Sequence, residues 1–152
     1  MIVNVEGVVS DSEAGELIRA CEFFADQLMD PRMVRNLEIE IEVKKRLDVE
    51  GECVDEDGFR NPRWFTINLR KKKMREMIKT LGHEMVHVKQ HAKNELRPAN
   101  FVPAKGGLRV VTEWKGEIWY PGRKQDHYYD SPWEIEAYGM EVGLFAKWMA
   151  KQ

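Results

Sequence analysis

The sequence predicts an α+β domain, and three patterns carry that expectation. Leu37, Ile39, Ile41 and Val43 alternate with Glu38, Glu40, Glu42 and Lys44, the period of a half-buried strand. From about Met74 to Glu95 the apolar residues Met77, Ile78, Leu81, Met85, Val88 and Ala92 fall on one broad helical stripe. Ser131 and Pro132 then open a last helix, with Ser131 at the N-cap, Pro132 in the first turn and Glu134 three residues after the cap.

The other elements fall between these. Ser10-Asp11-Ser12 and a following acid cap an amphipathic helix through Leu17, Ile18, Cys21, Phe24, Ala25 and Leu28 that ends near Asp30-Pro31. Gly51 and the Asp55-Glu56-Asp57-Gly58 cluster punctuate two further extended pieces, the second being Trp64–Leu69. Pro98 and Pro103 close the helical region, and Leu108 to Tyr120, split at Lys115-Gly116, reads as a hairpin. The order is helix, sheet, central helix, hairpin, helix. The aromatics Trp114, Trp119 and Tyr120 suit core or cleft wall, and the methionines around the central helix suit core filler.

With 152 residues the chain has the size of one ordinary domain, so residues 1–152 are expected to share a single core. Apolar content of 43% with 33% charged residues is that of a soluble globular chain. The 24 basic and 26 acidic residues nearly cancel, which leaves no global field for nucleic acid or anionic lipid. The basic run Arg70-Lys71-Lys72-Lys73 reads as solvated surface. Cys21 and Cys53 form no CxxC pattern, which argues against a disulfide scaffold and suits a reducing compartment. The N-terminal residues lack the pattern of a signal peptide, and no apolar run reaches about 18 residues. A cytoplasmic location is expected, with neither nucleic acid nor membrane as partner.

His83-Glu84-Met85-Val86-His87 is an HExxH sequence inside the strongest helical stretch of the chain. A spacing of four puts both imidazoles on one helix face, one turn apart, where they can bind the same ion. Glu84 projects beside that face, within reach of a water that such an ion activates, and is the expected general base. Leu81, Met85, Val86 and Val88 make this a largely buried helix, in which two histidines and a glutamate are costly unless something pairs them.

A catalytic metal site needs a third protein ligand and an open position. His91 continues the same face, but ligands at 83, 87 and 91 would spread over about 12 Å of helix, too far for one ion; a surface histidine is expected there. Glu134 and Glu136 on the last helix are the other candidates. Helical periodicity turns them about 160° apart, so only one faces the metal, and the first-turn position favours Glu134. His127 and Tyr129, in the segment leading into that helix, are candidates for an oxyanion or substrate contact.

Residues 80–91, with Thr-Leu-Gly-His-Glu-Met-Val-His, and residues 132–145, with Pro-Trp-Glu-Ile-Glu-Ala-Tyr-Gly-Met-Glu, resemble the gluzincin metallopeptidases. The layout also resembles phage- or prophage-type metallopeptidases. The resemblance implies a zincin-like fold: a small twisted sheet packed on a central HExxH helix, an N-terminal helix and a C-terminal ligand helix. It implies Zn²⁺ held by His83, His87 and Glu134, hydrolysis of a peptide or protein substrate, and a strand at Trp64–Leu69 running along the cleft. Tyr138 departs from the pattern, standing where the group carries Asp or Asn as partner of a zinc histidine. The competing reading is a zincin-like domain that binds a protein partner and has little hydrolytic activity; Glu84, which a purely structural zinc site does not need, favours the enzyme.

Overall fold

A computed structural model of the chain describes residues 1–58, 60–119 and 129–152, with the backbone alone at 98–102, 109 and 110. The architecture is mixed α and β. In chain order the elements are β1 (Ile2–Gly7), α1 (Asp11–Leu28), α2 (Pro31–Arg35), β2 (Glu38–Lys44), β3 (Gly51–Asp55), β4 (Trp64–Arg70), α3 (Met74–Ala92), β5 (Leu96–Ala104), β6 (Gly107–Trp114), β7 (Glu117–Trp119) and α4 (Pro132–Lys151).

Four strands form one sheet in the order β1-β2-β4-β3. β1 and β4 both run parallel to β2, while β3 runs antiparallel to β4 and forms the edge opposite β1. A parallel neighbour requires a long crossover, and α1 supplies it between β1 and β2. The sequence expectation begins at α1 and omits β1, whose alternation is only Val3-Asn4-Val5-Glu6 and whose partner lies more than 30 residues away. Gly7 ends this strand at φ +102°, and a side chain there would run into the Val43 carbonyl.

The expected capped helix is α1. The Ser10 hydroxyl accepts from the Glu13 N–H while the Glu13 carboxylate accepts from the Ser10 N–H, a complete capping box. Its buried stripe of Leu17, Cys21, Phe24 and Leu28 joins Ile39, Ile41, Phe65, Ile67 and the α3 residues Ile78, Leu81 and Met85 in one core. The helix α3 stops at Ala92, short of the expected Glu95, because Asn94 turns into the left-handed region at φ 55°.

A second, three-stranded antiparallel sheet has the order β5-β6-β7. β6 and β7 are the expected hairpin, and Lys115 and Gly116 both have positive φ, as a two-residue type I′ turn requires. Tyr120 lies outside the described residues. The sequence expects Pro98 and Pro103 to close a region, whereas both sit inside β5. That strand is an edge and its register shifts between Pro98 and Asn100, the circumstances in which a strand tolerates proline.

The basic run after β4 is tied down by acids. Arg70 and Lys72 both pair with Glu50, and Lys71 pairs with Glu13 at 2.7 Å. No helix among the described residues is long and apolar enough to cross a membrane.

Replacing Ser10 with alanine removes half of the capping box. We expect Ser10→Ala to lower stability by about 1 kcal/mol, with a fall of roughly 2–4 °C in Tm measured by thermal unfolding.

Candidate metal centre

The middle of α3 has no free face. It packs on β3 and β4 on one side and on α1 and α4 on the others, so His83, Glu84, His87 and Gln90 are all buried. From α4, which packs along α3, Glu134 reaches the same spot and is itself buried. His83, His87 and Glu134 form a group that can hold a metal ion.

The donor atoms converge closely. The two Nε2 atoms are 3.2 Å apart, His83 Nε2 lies 3.3 Å from Glu134 Oε2, and His87 Nε2 lies 3.3 Å from Glu134 Oε1. Ligand atoms bound at about 2.0–2.1 Å in a tetrahedron stand about 3.4 Å apart, so the spacing suits one small ion.

The other ring nitrogens are already committed. His83 Nδ1 lies 3.0 Å from Glu141 Oε2, and His87 Nδ1 lies 2.8 Å from Gln90 Oε1. The Gln90 amide in turn donates to the Trp133 carbonyl at 2.9 Å, which fixes its oxygen toward the histidine. Each Nδ1 therefore donates to an acceptor, and each Nε2 is left with a lone pair aimed into the trio. Two lone pairs and a carboxylate then face one another, and Glu134 Oε2 makes no hydrogen bond among the described residues. A cation satisfies all three atoms at once, so the donor set fits a metal.

Electrostatics separate the two acids. Burial would raise the Glu134 carboxyl, but in the absence of an ion positive charge among the two imidazoles beside it holds it down at about 2. Burial pushes Glu84 up to about 7, against the pull of His87 and His83. Burial alone would lower His87, yet the Glu134 carboxylate beside it raises it. One acid is held as an anion at the donor trio; the other stands next to it with its proton loosely held near neutrality.

Glu84 opens onto a cavity of about 610 Å³, whose walls include Gly51, Thr80, His83, Tyr129 and Tyr138. Gly51 begins β3 where the strand passes over α3. A Cβ there would stand 2.6 Å from Thr80 Cγ2 and 2.9 Å from Glu84 Oε1, so only glycine lets the strand lie this close to the acid.

The structure brings His83, Glu84, His87 and Glu134 together and leaves the other candidates elsewhere. Glu136 points away and meets Lys89 at 2.5 Å and Lys115 at 3.8 Å. His91 is outside the trio, and the expected surface position is corrected: it is half-buried, with its ring 6.3 Å from Phe65 and its pKa lowered by burial. Tyr129 lies on the cavity, largely exposed, 5.9 Å from the Tyr138 ring. His127 lies outside the described residues.

Two site residues went unassigned. Glu141 accepts from the His83 ring at 3.0 Å, whereas Tyr138, the position expected to partner that histidine, stands with its ring edge-on to His83 at 4.5 Å. Glu141 is seven residues from Glu134, two helical turns along one face, so periodicity carried a signal for it. Gln90 is three residues from His87 and equally within helical reach, but nothing in its residue type marks it.

Trp64–Leu69 is also corrected. β4 has β2 on one side and β3 on the other, so both its edges are taken; the edge nearest α3 belongs to β3. Comparison with protein-family models, curated proteins and solved structures gives no match to the chain.

Glu134→Ala should cut the affinity for a divalent ion by at least one to two orders of magnitude, read by equilibrium dialysis with metal analysis. Glu136→Ala and His91→Ala should keep wild-type metal content. Retention by the Glu134 variant would remove the trio as a metal site.

Proposed function

We propose that this chain is a zinc-dependent metallopeptidase of zincin-like architecture, with His83, His87 and Glu134 as ligands and Glu84 as general base. The observation that carries the reading is the pairing of a buried donor trio with a second, buried acid that faces an open cavity. Two imidazoles and one carboxylate at tetrahedral spacing are the ligand chemistry of catalytic zinc sites that keep a position open. Zinc held there supplies a Lewis acid, polarising a carbonyl oxygen and lowering the pKa of water toward about 7.

The chain's own residues do the rest. Glu84 takes a proton from the attacking water as the new oxygen–carbon bond forms, and delivers it to the nitrogen as the carbon–nitrogen bond breaks. Its position next to His83 in α3 keeps it beside the ligands without competing for the ion. Glu141 and Gln90 hold the two imidazoles in the tautomer that presents Nε2.

The substrate contact expected of Trp64–Leu69 passes to β3. This short edge strand begins at Gly51 on the cavity and has no strand on its outer side among the described residues. An extended peptide adding to that edge would reach Glu84 through main-chain hydrogen bonds. The partner-binding alternative is disfavoured by Glu84, since a site that only holds a metal gains nothing from a second buried acid.

Glu84→Gln should keep the metal and lose hydrolysis of an unstructured protein substrate by at least 100-fold. The amide preserves shape but accepts no proton. Metal content and peptide release are measured on the same preparation; undiminished hydrolysis would end Glu84's role, and loss of the metal would make it a ligand.

A further inference from the structure

The outward face of α4 is the least expected surface of the molecule. Its inner side carries Glu134, Ala137, Leu144 and Trp148 into the core. On the outer side, Ile135, Val142 and Met149 recur every seven residues and are 59%, 59% and 37% exposed. Between them stand exposed small residues at the same spacing, Gly139 with Ala146 and Gly143 with Ala150. No charged residue falls within this sector, although it is the solvent side of a 20-residue helix.

The two glycines of this face stand open among the described residues. Among the described residues, a Cβ at Gly139 or Gly143 would meet nothing within 4 Å, and neither glycine has a positive φ. Glycine weakens a helix interior, so two exposed ones a turn apart admit close approach of another backbone.

We propose that this face is a homodimer interface, in which α4 packs antiparallel on α4 of a second copy across a two-fold axis between Val142 and Gly143. Two separate features select the same register. In the first, small meets large: Val142 faces Gly143 of the second copy and Ile135 faces Ala150, while Gly139 faces Ala146, small on small, to either side of the axis. In the second, charge is complementary. Glu136, Lys147 and Lys151 line one flank of the face, acid toward the start and base toward the end. Like flanks meet in an antiparallel pair, and this register sets Glu136 between Lys147 and Lys151 of the second copy. Within the chain Glu136 keeps Lys89 and Lys115, and Lys147 keeps Gln27, so these rim charges select the register while apolar burial supplies the affinity.

A helix of this length is about 30 Å long, and one face of it falls short of the roughly 800 Å² per partner of a standard interface. The association is therefore weak and reversible. It is independent of the metal reading.

Sedimentation velocity of the full chain should show a monomer–dimer equilibrium into the high micromolar range. The double variant Gly139→Gln, Gly143→Gln should weaken dimerisation at least tenfold. Its thermal midpoint at low concentration should be unchanged or higher, because both positions are open within the chain. Under mild oxidation Val142→Cys should give a disulfide-linked dimer. Ile135→Cys should not, since its two copies lie about 22 Å apart along the axis. A chain that stays monomeric throughout overturns the proposal, as does a double variant that dimerises like wild type or loses thermal stability. Equal cross-linking at 135 and 142 overturns it too.

Discussion

Three donor atoms that cannot satisfy one another stand at the centre of this fold. His83 and His87 each spend their Nδ1 proton on an outward acceptor, Glu141 and Gln90, and so turn bare Nε2 atoms toward the Glu134 carboxylate. In water such a grouping would be hydrated and unremarked. Here the sheet, α1 and α4 enclose α3, and burial makes an unmatched carboxylate and two opposed lone pairs expensive. The arrangement is stable only with positive charge among the three atoms, and every packed element around α3 contributes to keeping that charge requirement sharp.

The same burial gives the two acids of the site opposite characters. Glu134 lies against both imidazoles, and positive charge among them holds it as an anion down to about pH 2. Glu84, one residue from His83 but turned to the cavity, feels desolvation more than attraction and titrates near 7. A ligand must stay charged, whereas a group that takes and returns a proton works best near ambient pH. The division of labour follows from which side of α3 each carboxylate occupies.

Local periodicity made much of this legible in the sequence. The capping box at Ser10 and Glu13, the stripe of α3, the turn at Lys115-Gly116 and the opening of α4 are all set by residues within a few positions of one another. The meeting of His83, His87 and Glu134 follows from the HExxH spacing together with one residue of a later helix. What stayed hidden depends on partners distant in the chain. β1 becomes a strand because β2 lies beside it, and the prolines of β5 are tolerated because that strand is an edge. The order β1-β2-β4-β3, which moves the free edge from Trp64–Leu69 to Gly51–Asp55, is invisible to any short window. Gly51 gave only a punctuation signal, although its real constraint is the clearance above Thr80 and Glu84.

The second sheet acquires a purpose from the position of Glu134. That residue sits in the first turn of α4, and its neighbour in the chain ties that turn to the rest of the fold. Trp133 does the holding: Trp119 packs edge-on against it at 5.0 Å, Trp114 lies at 6.2 Å, and its carbonyl accepts from Gln90. β6 and β7 thus brace the turn that carries the third donor, and Gln90 ties the same turn to His87. A hairpin remote from the motif in sequence thereby fixes the distance between the two helices on which the trio depends. Loosening the tryptophan cluster would move Glu134 relative to both histidines together, because one backbone carbonyl joins the brace to the ligand pair.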